Sequence, residues 1–447
     1  MSHPTSQPEA PVPEAPDPKV PAPEAPASEA PVFEAFVPAA SVPGDLGPEA
    51  LIPVPEVAPG TAGPPCAYAR LRAEAPVVKA QLPNGEAGWL LSRYEDVRAA
   101  FADPRLVRPL LSAWPPREGE EAPPPCLPTF LEMTGAHHER VRRTVLPMFG
   151  RRQLAFMEPR IRATAGELVD AMVAGADGGT ADLVASYAEP LPLRVLCETV
   201  GLPYEDRESY LPHTLALLGA SGLSMQEVLA ALYALQDYAG ELISRKERDG
   251  DGADYIGLLL ARARRPDSEI TRDDVVSFVV TMLMAGYKTN IQHTGNALLT
   301  LLNHPEQLRT LREAPERTGT AVEELLRYVP LMNAINILVA TEDLTLHGQH
   351  IRAGDAVVPV PASANRDPAA FAEPDRLDLT RTPNAHVAFG HGPHACTGGH
   401  LTRMQLTIAI QVLLERLPGI ELAVPAESID WDESTPLRAP ARLPVRW

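Results

Sequence analysis

The chain has 447 residues, with 39 Lys and Arg against 58 Asp and Glu, a formal net charge of −19. That balance argues against a general nucleic-acid partner in the absence of a local basic patch. Cys66, Cys126, Cys197 and Cys396 are widely spaced with no Cys-x-x-Cys pair, which suits a reducing cytoplasm better than a disulfide scaffold or a zinc ribbon. The longest nearly apolar stretch, Val275 to Gly286, is too short to span a bilayer. One Lys and no Arg precede the first apolar segment, which speaks against a secretory signal. The expectation is a soluble cytoplasmic protein with no membrane and no nucleic-acid partner.

Residues 1–60 hold 16 of the 49 prolines, with nine acidic residues and one Lys. Pro8-Glu9-Ala10-Pro11, Pro13-Glu14-Ala15-Pro16 and Pro23-Glu24-Ala25-Pro26 repeat within it. Such a segment cannot bury enough apolar surface to offset its ordering entropy, so a disordered tail is expected over 1–60. One mainly α domain with small β-sheets follows over 61–447. Trp89-Leu90-Leu91 reads as a strand, and Tyr94 opens a helix. Residues 107–135 form a Pro-rich connection long enough to be a lid or binding loop. His138 to Leu146, Pro159 to Val173 and Ser224 to Lys246 carry helical patterns. Asp273 to Leu302 reads as one long helix, apolar on most faces and therefore central to the core. Leu344 to Ile351 suggests a hairpin around His347-Gly348, and Leu401 to Leu417 an amphipathic helix stopped by Pro418-Gly419.

The chemistry concentrates where a predicted short strand, Val387-Ala388-Phe389, meets that last helix. Glycines flank Cys396 in Gly390-His391-Gly392-Pro393-His394-Ala395-Cys396-Thr397-Gly398-Gly399, permitting a tight turn and close approach of backbone to a flat ligand. A helix start just after Cys396 favours a thiolate. From the residues alone, Cys396 is a metal ligand, a nucleophile with His394 as base, or a structural cysteine.

Phe389-Gly390-x-Gly392-x-His394-x-Cys396-x-Gly398 resembles the haem-binding loop of the cytochrome P450 family. Glu324-Leu325-Leu326-Arg327 resembles that family's Glu-x-x-Arg signature, and Ala364-Asn365-Arg366-Asp367-Pro368 the segment that follows. His138-x-x-x-Arg142 is similar to its haem-propionate pair, and Ala285-Gly286-x-x-Thr289 to its oxygen-binding motif. Trp89 to Arg105 resembles its early strand-helix unit. The resemblance spans about residues 60–447 and has the style of the soluble bacterial branch.

It implies a cytochrome P450 fold and heme b (iron protoporphyrin IX) with Cys396 as axial thiolate. His138 and Arg142 would hold a propionate, and Phe389, Gly390, His394 and Gly398 would shape the sulfur side. Ala285 and Gly286 would make room for oxygen, and the Thr289 hydroxyl would help deliver protons. Glu324 and Arg327 would form a buried structural pair with Arg366 as third partner. Two departures stand out. Lys288 replaces the usual acid before Thr289, with Asn290 after it, and Leu338 stands where an Arg for the second propionate is expected. On an apolar helix Lys288 should belong to an ion pair, and it joins Thr289 as a candidate catalytic residue.

The activity so implied is monooxygenation, first of all hydroxylation, of a medium-sized natural product in secondary metabolism. Oxidative C–C or C–N coupling of an aromatic or cyclic-dipeptide-type substrate is the alternative. Readings of other classes are a catalytically impaired haem-containing recruitment module and a metal-free Cys hydrolase. A ferredoxin and a ferredoxin reductase would supply electrons, docking on a basic face built by Arg140, Arg143, Arg151, Arg152 and Arg403. The pocket would draw on 107–135, Leu211 to Ser224, Leu331 to Leu338 and a turn near Ser434-Thr435. Leu217, Leu218 and Leu331 would sit beside polar Asn333, Asn336, Ser434 and Thr435.

Overall fold

Helix starts written into the sequence set the helical frame. Ser224 and Glu227 bond reciprocally at the head of Met225–Asp249, and Thr271 and Asp274 do the same ahead of Arg272–Gly286. Each capping box satisfies N–H groups that a helix start leaves bare. The computed structural model describes the chain except residues 1–50, 58–62, 83, 84, 111–125, 219–222, 251, 330, 332, 433 and 435. The repeats of the tail and most of the Pro-rich connection therefore lie outside the described residues.

Helices predominate in the described part, with small sheets beside them. The largest sheet runs Leu51–Pro53, Val77–Gln81, Ala87–Leu91, Ala356–Pro359, Leu338–Ala340 and Leu106–Val107 across its strands. Its first strand, parallel to Val77–Gln81 with Ile52 fully buried, falls inside the segment expected to be tail. Leu51–Pro53, within the expected tail, is therefore part of a sheet. The strand at Trp89, the helix Tyr94–Ala102, the hairpin Leu344–Leu346 with Gln349–Ile351, and the helix Gly399–Arg416 match their expected positions.

Two expectations need correction. The central helix is not continuous, because Arg272–Gly286 and Lys288–Leu302 are separate segments meeting at Tyr287. The Thr289 hydroxyl donates to the Ala285 carbonyl, and Asn290 Nδ2 donates to the Gly286 carbonyl at 2.8 Å. Side-chain donors take carbonyls that the backbone N–H groups four residues on would use, and such back-bonding bends helices. Val387-Ala388-Phe389 is likewise no strand. Val387 N–H bonds the Asn365 side chain at 2.8 Å, and Ala388 and Phe389 lie in a turn. A polar side chain has replaced the neighbouring strand as partner.

Both central segments are buried along most of their length, within the main apolar cluster. That cluster also takes in Leu401, Leu406, Ile408, Ala409, Ile410, Val412 and Leu413 from the helix that follows Cys396. The fold thereby packs the break in the central helix close to the cysteine loop. Asn290 fixes the approach, since its Oδ1 accepts from the Thr402 hydroxyl at 2.8 Å.

Candidate active site

The cysteine loop is shaped by positive-φ glycines and close packing. Gly390 and Gly392 have φ of +69° and +71°, a region costly for other residues. A Cβ on Gly392 would come within 2.6 Å of the Phe101 carbonyl oxygen, so the helix Tyr94–Ala102 seals that side. Cys396 N–H returns to the Phe389 carbonyl at 2.9 Å. The backbone N–H groups of Gly398 and Gly399, at the start of the last long helix, bond the Cys396 sulfur. Burial nevertheless pushes the thiol pKa up, against those bonds and the nearby charges of Arg142 and Arg403. By surface area the Cys396 residue is nevertheless exposed.

These shifts argue against the hydrolase reading. A nucleophile needs its thiol pKa lowered and a base near neutrality. Here the thiol is raised, and His394 is pushed down to about 4 by burial and by the charges of His138, Arg108 and Arg142. The His394 ring stacks on His138 with centroids 4.0 Å apart, and His138 in turn stacks on Phe130 at 5.3 Å.

Around that stack lies a concentration of positive charge. His138 and Arg142 project from one face of Gly135–Val145, as their spacing requires. Arg142 Nη2 donates to the Ala395 carbonyl at 2.8 Å and so clamps the loop directly. Burial and the Arg142 charge push His138 down, and among the described residues Glu139 is the one acid acting on it. Arg108 adds a further cation near His394. Grouped donors with so little opposing charge fit an anionic ligand carrying carboxylates. Among the described residues no set of three or more His, Cys, Asp or Glu could hold a bare metal ion. An iron at Cys396 would have to bring its other ligands with it, as haem does.

Beneath the loop, Arg403 lies 4.5 Å above the Phe389 ring and is held by Glu323 at 2.6 Å. Burial pushes Glu323 up, but the bonds from His386 and Arg403 outweigh it and hold the carboxyl at about 2. Glu324 and Arg327 are fully buried and joined by two bonds of 2.7 and 2.8 Å. The expected third partner is corrected: Arg381, not Arg366, bonds Glu324, at 3.0 Å. Arg366 instead pairs with Asp375 at 2.9 Å and lies 4.0 Å from the Tyr328 ring centroid. The Pro-rich turn after Phe371 brings Arg381 back over the pair, a fold-back that helical spacing does not reveal.

At the break in the central helix, Gly286 admits close packing, since a Cβ there would meet Leu196 Cδ1 at 2.8 Å. Thr289 makes the bond to Ala285 expected of a helical Thr in a purely structural role. Lys288 is ion-paired as expected, its Nζ 2.6 Å from Asp432 Oδ2. Burial pushes Asp432 up, but the bonds from Lys288 and Ser434 outweigh it and lower its pKa. Sequence reasoning missed Asp432, Arg108 and Glu323, and noted Asn290 only as a departure from the family pattern. Asp432 ends the two-residue strand Trp431–Asp432 and Arg108 follows the two-residue strand Leu106–Val107, elements too short for periodicity to mark a side chain's direction. Of the pocket residues, Thr435 is outside the described set, and Asn333 is engaged structurally. Its Oδ1 accepts from the Tyr68 hydroxyl at 2.5 Å, and its Nδ2 donates to the Pro55 carbonyl at 3.3 Å. The described residues include no helix long and apolar enough to cross a membrane.

Comparison with known proteins agrees with this geometry. Residues 224–418 match the family described as Cytochrome P450. The chain is 39% identical over 382 residues to mycinamicin IV hydroxylase/epoxidase of Micromonospora griseorubida, covering 85% of this chain and 94% of that one. It is 38% identical over 383 residues to nocardicin C N-oxygenase of Nocardia uniformis subsp. tsuyamanensis, with the same coverages of 85% and 94%. Among solved structures, the LnmA cytochrome P450 hydroxylase of the leinamycin pathway of Streptomyces atroolivaceus superposes with a TM-score of 0.75 at 39% identity, covering 88% of this chain and 98% of that one. The putative thioether synthase SgvP gives a TM-score of 0.80 at 34% identity, covering 89% and 99%. Identity at this level over nearly the whole of each relative, on a shared fold, leaves one assignment: the chain belongs to the cytochrome P450 family.

Proposed function

We propose that this oxidoreductase is a haem-thiolate monooxygenase that hydroxylates a medium-sized natural product, with Cys396 as the iron's thiolate ligand. The observation that carries the reading is the Cys396 sulfur, which receives the Gly398 and Gly399 N–H groups at the start of the last long helix while the residue keeps surface exposure. Those N–H groups temper a thiolate's charge without neutralising it. Bound haem supplies the oxidation, in which substrate C–H, O2, two electrons and two protons give an alcohol and water.

The chain's own residues supply the rest. His138, Arg142 and His394 hold the haem carboxylates, and Phe389 and Gly390 shape the loop on the sulfur side. Ala285 would leave room for oxygen beside the haem, while Gly286, where a Cβ would meet Leu196, lets the central helix pack closely. Thr289 Oγ1 donates to Ala285 and keeps lone pairs with which to accept a proton in transit. The haem domain is read as starting at Leu51 rather than residue 61. Relatives named for hydroxylating mycinamicin IV and N-oxygenating nocardicin C support a natural-product substrate.

Electrons would come from a ferredoxin and its reductase. Exposed Arg151 and Arg152, with Phe156 at 76% exposure nearby, support a docking face of mixed basic and apolar character. Arg403 and Arg143 drop out of that face, since they pair with Glu323 and Glu269.

The test is the ferrous carbon monoxide spectrum. The parent protein should show the strongly red-shifted Soret band of thiolate ligation, and Cys396→His should lose the shift while retaining haem. An unshifted band in the parent overturns the reading. Product mass then separates reaction types: hydroxylation adds one oxygen atom, whereas intramolecular coupling removes two hydrogens and adds nothing.

A further inference from the structure

Arg108 is a half-buried cation that the sequence did not single out. Its Nε is out of reach of solvent and has no hydrogen-bond partner among the described residues. Burial pushes the guanidinium pKa down, and no acid among the described residues offsets it. Leaving such a group desolvated and unpaired is costly, so its environment calls for an anion.

The sheet shows which anion it faces. Leu106–Val107 runs antiparallel to Leu338–Ala340, with Leu106 opposite Ala340 and Val107 opposite Val339. One residue further in that register, Arg108 comes opposite Leu338. Paired residues of an antiparallel ladder send their side chains to the same face. Leu338 is buried in an apolar cluster with Leu106 and Ala340, and it stands where the family resemblance leads one to expect a propionate-binding Arg. The electrostatics agree, because the Arg108 charge acts on His394 together with those of His138 and Arg142.

We propose that Arg108 binds a haem propionate in place of the arginine missing at Leu338, the guanidinium having moved across the ladder to the neighbouring strand. This rests on the haem-thiolate reading. The guanidinium can meet a carboxylate with two parallel bonds, a geometry Lys cannot reproduce.

Haem release to excess apomyoglobin, measured without substrate, tests the assignment in the haem-loaded protein. Arg108→Leu should release haem roughly ten-fold faster or more, the loss expected for a charge-assisted bond. The exchange Arg108→Leu with Leu338→Arg should return release toward the parent rate. In the haem-free protein Arg108→Leu should melt no lower than the parent, because an unpaired half-buried cation has been removed. A merely structural arginine would lower the melting temperatures of the haem-free and haem-loaded proteins alike. Parent-like haem release in Arg108→Leu, or an exchange variant as fast as the single one, overturns the proposal. Failure of the haem-thiolate reading would appear separately, as a parent protein without the red-shifted carbon monoxide band.

Discussion

Lys288 inverts the charge usual in the family before the central Thr, yet an acid remains within reach. Asp432, from the strand Trp431–Asp432, sits 2.6 Å from the Lys288 ammonium. The pair keeps a carboxylate beside the helix break while holding it on a different element. If Thr289 relays protons, Thr289→Ala should preserve the haem spectrum while product formed per electron pair falls roughly tenfold, the low end of acid–base effects. Unchanged coupling would leave Thr289 only its bond to Ala285. Lys288→Asp tests the pair itself, since it sets two carboxylates against each other where one attraction stood. The expected outcome is a changed coupling efficiency or product ratio; parental values for both would make Lys288 a bystander. The sequence identified Lys288 as half of an ion pair because a charge on an apolar helix demands a partner, but Asp432 lies 144 positions away and no spacing rule reaches it.

At the scale of elements, local rules went furthest. The helix from Ser224, the hairpin at His347-Gly348 and the helix after Cys396 follow from short-range chemistry and were legible. The break at Tyr287 was not, because apolar periodicity runs unchanged through it; only the side-chain bonds of Thr289 and Asn290 to the preceding turn interrupt it. The Glu324–Arg327 pair was legible as an i, i+3 contact, but its surroundings were not. Glu324 also accepts from Arg381, Asn384 Nδ2 at 3.1 Å and Asp378 N–H at 2.9 Å. Removing that carboxylate strands Arg327, which is fully buried, and Arg381 without their shared anion. Glu324→Ala should therefore cost about 3–5 kcal/mol and yield protein that loses haem or fails to fold. Soluble, haem-loaded Glu324→Ala with a parental melting temperature would contradict a structural role for the pair.

For the whole molecule, the order of motifs along the chain carried the fold class, while their meeting in space had to come from the structure. Strand register, carried one residue on, sets Arg108 opposite Leu338, and the Arg108 charge acts on His394; the sequence distances between the three say nothing of it. The same convergence of distant segments makes stability depend on pH. His293 is 9% exposed on Lys288–Leu302, lining a small cavity with Asn296, Ala297, Leu325 and Leu406. Burial, with a smaller contribution from the His386 charge, pushes its pKa down to about 4. The unfolded chain takes up this proton near the ordinary histidine value of about 6.5, while the folded protein resists it until about 4. The folded state thus binds fewer protons across that interval, and stability must fall as pH drops from about 6.5 toward 4. Glu323, held at about 2, adds its own loss only below the ordinary carboxylate range. The two windows barely overlap, so a variant can separate them. His293→Gln keeps a polar side chain but does not titrate. Its denaturant midpoint, followed from pH 7 to pH 4.5, should decline less steeply than that of the parent, and the two slopes should converge below pH 4. Parallel curves across the whole range would show that His293 is not the group that takes up the proton.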